Sequence, residues 1–199
     1  VMAGAAMVFI AGAPVWLFVS AIVLAGISVP IIWQFLHDYQ KARVMTFLNP
    51  ESDPLGAGYH ITQSKIAIGS GGVEGKGFLQ GTQSHLNFLP EKQTDFIFTL
   101  WVEEWGLLGG AFLLSLFLFI FITGLNTSMK CRHNFGRYLA LGVSVNFSLY
   151  VFINISMVMG LIPVVGAPLP LVSYGGTSML AALIGFGLMM SCGIYRHSK

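Results

Sequence analysis

Apolar residues in this chain gather into long runs separated by short polar breaks. A helix needs about 20 mostly apolar residues to cross a bilayer. Four stretches reach or approach that length, roughly 14–33, 97–125, 138–160 and 171–195, and a fifth, 1–12, is cut short at the N-terminus. The pattern predicts an all-α, polytopic membrane helix bundle of about five spans. Between the second and third runs lies a polar segment, 34–96, too long for a simple hairpin connection and therefore the place to look for chemistry. The chain divides accordingly into membrane spans over 1–33, a polar loop over 34–96 and three further spans over 97–199.

Composition agrees: 55% of residues are hydrophobic and only 9% charged, against roughly 25% charged in a soluble domain. The formal charge of +2, with basic residues scattered over separate loops, is too small to argue for a nucleic-acid partner, and none is expected. Cys131 and Cys192 form neither a CxxC pair nor a disulfide framework and read as small membrane residues. The chain opens on Val1 inside an apolar run, without an initiator Met or a signal-peptide n-region, which predicts an internal or C-terminal piece of a longer protein.

Lys and Arg in short loops set orientation. Lys130, Arg132 and Arg137 in SMKCRHNFGR, with Arg196 and Lys199 in the tail, predict that both ends of the last pair of spans are cytoplasmic. That puts 34–96 and the PVVGAPLP turn, 163–170, on the extracytoplasmic side; Lys41 and Arg43 oppose this only weakly, since long loops count little.

Within the polar segment, Pro50, Pro54, Gly56 and Gly58 predict turns. In YHITQSKIAIGSGG, Ile61, Ile66 and Ile68 share about two helical turns with Gln63, Ser64 and Lys65. Two readings stand, an amphipathic segment on the bilayer surface or a helix packed on the rest of the protein. The run GSGGVEGKGFLQG holds six glycines in thirteen residues, with Glu74 and Lys76 among them. It fails as a P-loop, because Ser70 stands where the first Gly belongs and Gly77 follows Lys76. A flexible loop is the default, and the alternative is a cradle of backbone N–H groups with Lys65 or Lys76 for a lipid pyrophosphate. His37, His60 and His85 are isolated, without HExxH or a helical pair, so no metal set is encoded. A Mg²⁺ ion carried by substrate phosphates would need only one or two carboxylates.

The available carboxylates are Glu91, Asp95, Glu103 and Glu104. Pro90 suits the first position of a helix, which would put Glu91 in its first turn and Asp95 in its second, where the dipole favours the ionised form. An ionised, partly shielded Asp can act as a general base toward a hydroxyl. On one helix Glu103 would lie about 12 Å along and about 80° round from Asp95, and Glu104 on the opposite face, so the helix does not bring Asp95 and Glu104 together as an acid/base pair. The bland alternative is a solvated helix end near the headgroups. In PVVGAPLPLVSYGGTSM, Pro163, Pro168 and Pro170 precede Ser173, Tyr174, Gly175 and Gly176. Irregular backbone at membrane depth points to a cavity, or else to a tight hairpin with close helix packing.

Taken together, HDYQKARVMTFLNPESDPLGAGYHITQSKIAIGSGG, GTQSHLNFLPEKQTDFIF with EEWG, and PVVGAPLPLVSYGGTSM closely resemble the SEDS family (shape, elongation, division and sporulation) of bacterial peptidoglycan polymerases. HDYQ and SKIAIGSGG resemble its elongation branch more than its division branch. The resemblance implies a glycosyltransferase of about ten spans in the bacterial cytoplasmic (inner) membrane, of which this chain carries the last five. It also implies inverting polymerisation of lipid II with release of undecaprenyl pyrophosphate, and partnership with a class B penicillin-binding protein transpeptidase and the elongation machinery. The family's catalytic Asp falls on Asp95. Lys65, and more weakly Lys76, are candidates for the phosphates, with Gln63, Ser64, Glu103, Ser173 and Tyr174 as further substrate contacts. Mg²⁺ or Mn²⁺ on the pyrophosphate is the compatible cofactor, with no ligands assigned. The upstream acidic motif QPDLGTA would lie before Val1. The competing classes are a lipid II flippase, a division-branch polymerase and a scaffold for the transpeptidase. Carboxylates clustered at a helix entrance, rather than in the middle of spans, favour the enzyme.

Overall fold

The computed structural model describes residues 2–48, 57–82 and 93–195. Among them the chain forms seven helices: α1 (Met2–Ile10), α2 (Val15–Phe35), α3 (Asp38–Leu48), α4 (Ala57–Gly71), α5 (Ile97–Lys130), α6 (Asn134–Val158) and α7 (Gly176–Ile194). Four of these, α2, α5, α6 and α7, are long and apolar enough to cross a membrane. At nine residues, α1 reaches only about half of a bilayer's apolar thickness.

The bundle is built on α5, α6 and α7. Phe117 of α5 meets Phe147 of α6 edge-on at 5.8 Å, and Phe147 meets Phe186 of α7 at 5.3 Å. In lipid, burial of apolar surface does not drive helices together, so close approach and dispersion must. Gly124 supplies that approach, because a Cβ there would run into the Ser144 hydroxyl of α6. By contrast α2 buries none of its 21 residues, which costs an apolar helix little among lipid tails.

The polar segment is not loop throughout. Within it α3 and α4 are helices, and α4 is packed rather than lying free on a surface: Ile61, Ser64, Ala67 and Gly71 form its buried face. Ser64 donates its hydroxyl hydrogen to the Val158 carbonyl at 2.8 Å, so the 2.7 Å contact with Thr99 must be donated by the Thr99 hydroxyl. One serine thus ties α4 to both α5 and α6. Pro50, Pro54, Gly56, His85, Pro90, Glu91, Arg196 and Lys199 lie outside the described residues.

Two helix starts, and the interior of one helix, differ from expectation in ways that bear on the site. The helix carrying the third span begins at Ile97 rather than near Pro90, with Phe96 at its N-cap, so Asp95 precedes the helix instead of occupying its second turn. The last span begins at Gly176 rather than 171, after a turn in which Leu171 takes φ 67°. In addition, α5 is broken at Gly106, where φ is 66° and ψ −165°.

The break accounts for the glycine-rich run. A helix interrupted there leaves the carbonyls of Glu103 and Glu104 and the amides of Leu107 and Leu108 without their usual partners. The 72–77 strand of chain takes all four: Lys76 N–H donates to Glu103 O at 3.1 Å and Gly77 N–H to Glu104 O at 3.0 Å. Leu107 N–H donates to Gly72 O at 2.9 Å and Leu108 N–H to Val73 O at 3.2 Å. Such contact needs bare backbone, since a Cβ on Gly71 would meet Val102 O, one on Gly75 would meet Glu104 O and one on Gly106 would meet Gly75 N. The run is therefore a backbone clasp on α5, not a flexible loop.

Candidate active site

At the end of the bundle opposite the Lys130–Arg137 hairpin, the start of α5 meets the turn between α6 and α7. Residues 93–96 are held there by three carbonyls that bond across the fold instead of along a helix. Gln93 O accepts from Tyr174 N–H at 2.8 Å, Thr94 O from the Ser173 hydroxyl at 2.6 Å, and Asp95 O from Asn154 Nδ2 at 2.9 Å. These bonds are the physical reason that Asp95 stays out of α5. Its carboxylate, half-buried, projects over Gly166, with Oδ2 3.3 Å from the position a Cβ on that glycine would occupy.

Ser173 is buried, accepts the Leu169 N–H at 2.6 Å and donates to Thr94, so its hydroxyl is spent on holding the two segments together. Tyr174 is 80% exposed and free to meet a ligand through its ring and hydroxyl. From α4, the exposed Lys65 extends its chain over Gly160, its Nζ 2.8 Å from where a Cβ would sit, while φ +70° there makes glycine the favoured residue. Gln63 is half-buried on the same helix.

The other expected contacts belong to the scaffold. Lys76 pairs with the fully buried Glu103 at 2.8 Å and donates to Thr82 Oγ1 at 2.8 Å, which places both charged residues in the clasp rather than at a ligand. The backbone N–H groups of Gly75, Lys76 and Gly77 go to Gly71 O, Glu103 O and Glu104 O, so these three donors are already engaged within the fold. Ser64 is likewise committed to Thr99 and Val158. These side chains are thus engaged within the fold, through tertiary pairing that a linear pattern does not display. Asn154 was not singled out by the sequence; its one signal was an amide inside a largely apolar span, a signal it shares with Asn146.

Beneath the same turn, between α6 and α7, opens a cavity of about 580 Å³, within the range of small-molecule sites. Val165, Ala167 and Pro168 form its roof, Phe147 and Phe186 line it, and Tyr150 is among its few polar groups. Gly166 is shared by the cavity wall and the surroundings of Asp95. Among the described residues no three His, Cys, Asp or Glu side chains converge as a metal site.

These features define a helical, multi-pass membrane protein with a carboxylate poised at one membrane face, beside an apolar cavity. The chain belongs to the cell cycle protein family of FtsW, RodA and SpoVE, whose model matches residues 1–198. It is 52% identical over 199 residues to the peptidoglycan glycosyltransferase MrdB of Escherichia coli K12, covering all of this chain and 53% of that protein. It is 48% identical over 156 residues to the peptidoglycan glycosyltransferase RodA of Treponema pallidum, covering 78% of this chain and 36% of that one. Among solved structures it resembles a chain from a peptidoglycan synthase complex that coordinates polymerization and crosslinking, with a TM-score of 0.81 and 30% identity over 97% of this chain and 53% of that one. It also resembles an aspartate-to-alanine mutant of the rod shape determining protein RodA from Thermus thermophilus, with a TM-score of 0.54 and 31% identity over 64% of this chain and 40% of that one. The chain thus spans about half the length of the E. coli relative.

Proposed function

We propose that the protein of which this chain is part is a peptidoglycan glycosyltransferase that polymerises lipid II into glycan strands during cell elongation, releasing undecaprenyl pyrophosphate. The observation that carries the proposal is the placement of Asp95 over Gly166, at the junction of two segments, with an apolar cavity beside it. A lipid-linked sugar asks for that combination: a wet, charged rim for the sugar phosphates and an apolar recess near the membrane. The names of the E. coli and T. pallidum relatives support the same activity.

In this mechanism Asp95 accepts the proton of the acceptor sugar hydroxyl as that oxygen attacks the anomeric carbon of the donor. Pyrophosphate leaves from the opposite face, inverting the configuration. Soluble glycosidases use two carboxylates, but pyrophosphate is a better leaving group than a sugar alkoxide and needs less protonation. Lys65 supplies positive charge for it, Gln63 and Tyr174 contact the substrate, and a Mg²⁺ or Mn²⁺ ion, if carried by the phosphates, would add to that charge. The site faces outward from the bacterial cytoplasmic membrane with the Lys130–Arg137 hairpin inside, and the protein works beside a class B penicillin-binding protein and the elongation machinery. Purified full-length protein supplied with lipid II in sealed vesicles tests the proposal. Glycan chains are the expected product, and translocated lipid II without polymer would identify a flippase instead.

A further inference from the structure

We propose that Asn154 is a positioning residue for Asp95, acting with Ser173 to fix the carboxylate over the 163–170 turn; this inference rests on the reading of Asp95 as the base. Asn154 lies in α6, fully buried, and its Nδ2 donates to two carbonyls from different segments, Asp95 O at 2.9 Å and Ala167 O at 2.6 Å. Only the amide nitrogen can satisfy two acceptors, so the orientation of this side chain is dictated by its partners. One NH₂ group thereby bridges the residue that carries the carboxylate and the turn beneath it. Ser173 anchors the preceding residue by donating to Thr94 O, and its oxygen is itself held by Leu169 N–H.

A generic helix-packing residue would not spend both donors this way. The remaining amide atom, Oδ1, is buried and makes no hydrogen bond. Burying an amide with its acceptor unmet is unfavourable, so a purely packing role would be better filled by an apolar residue of similar size. The asymmetry indicates that the NH₂ end is what the fold retains. Misplacement of a catalytic group by about 1 Å can cost on the order of a hundredfold in rate, and these bonds limit such drift.

Asn154→Asp keeps the size of the side chain and replaces the bridging nitrogen with an acceptor that faces two carbonyls. Ser173→Ala removes the second anchor with less disturbance, and Ser144→Ala serves as a control, a buried α6 hydroxyl that donates to Ala140 O within its own helix. In full-length protein reconstituted with lipid II, and counted per folded molecule, Asn154→Asp and Ser173→Ala are each expected to lower kcat about tenfold or more while KM changes less than about threefold. Ser144→Ala is expected to keep the wild-type kcat. If Asn154→Asp does not fold, Ser173→Ala decides. Wild-type kcat in a folded anchor variant, or a loss confined to KM, would overturn the positioning role while leaving Asp95 as the base. Polymerisation by Asp95→Asn would instead remove the reading on which this inference rests.

Discussion

Asp95 is held through its backbone while its half-buried carboxylate projects over Gly166, and the proposed role as a base rests on that placement. The constraint extends to the residue facing it. Gly166 has φ +67°, and an added Cβ would stand 3.3 Å from Asp95 Oδ2. Gly166→Ala therefore combines a left-handed backbone penalty of roughly 1–2 kcal/mol with a methyl pressed against the carboxylate. Lipid II polymerisation by the full-length variant should fall at least about tenfold, with a measurable drop in Tm; unchanged polymerisation would show that this contact is not needed for turnover. At this scale the sequence was uneven in what it disclosed. Asp95 stood out because few carboxylates occur in so apolar a chain, and the resemblance picked it from among them. Lys76, Glu103 and Ser64 looked equally available, but their partners lie 27, 27 and 35 residues away, and separations of that kind leave no local trace. Asn154 went unnoticed for the same reason, with its acceptors 59 and 13 residues distant.

Among elements, α5 shows how a break can be stabilised at the edge of a membrane. Orphaned backbone groups there are expensive, and the glycine run relieves them with four hydrogen bonds. The pair between half-buried Lys76 and buried Glu103 locks the clasp from the side. Gly75→Ala, at φ +82° and with its Cβ directed at Glu104 O, should cost about 2 kcal/mol or more, combining backbone strain with loss of the close approach. Thermal unfolding in detergent would register that as a lower Tm, whereas an unchanged Tm would mean the clasp contributes nothing to stability. The apolar runs predicted all four spanning helices, since length and hydropathy are local properties. They did not predict the break at Gly106 or the late starts of α5 and α7, and left the packed face of α4 as one of two readings. In each of those cases hydrogen bonds between distant segments outweigh the local tendency of the chain.

For the molecule as a whole, the Asp95 end and the Lys130–Arg137 hairpin lie at opposite ends of α5. The stretch from Leu107 to Lys130 spans roughly 35 Å at helical rise, enough to cross a bilayer. Single cysteines introduced at Glu74 and Arg132, both exposed, in a background lacking Cys131 and Cys192 should be labelled by a membrane-impermeant maleimide from opposite sides of sealed vesicles. The Glu74 position should react from the extracytoplasmic side, and labelling of Arg132 from that side would reverse the orientation. Family membership was legible from motif order across nearly the whole chain. What no single motif conveyed is that the TDF and PLPLVSYG stretches are bonded to each other, and the catalytic proposal depends on that junction.

The most direct test is polymerisation of lipid II by full-length protein carrying Asp95→Asn, compared with wild type at equal folded concentration. The substitution preserves the shape of the side chain and every backbone bond of the 93–96 segment while removing the base. The predicted result is a folded protein that still binds lipid II and forms no glycan strands; polymerisation at the wild-type rate would contradict the assignment of Asp95 as the catalytic base.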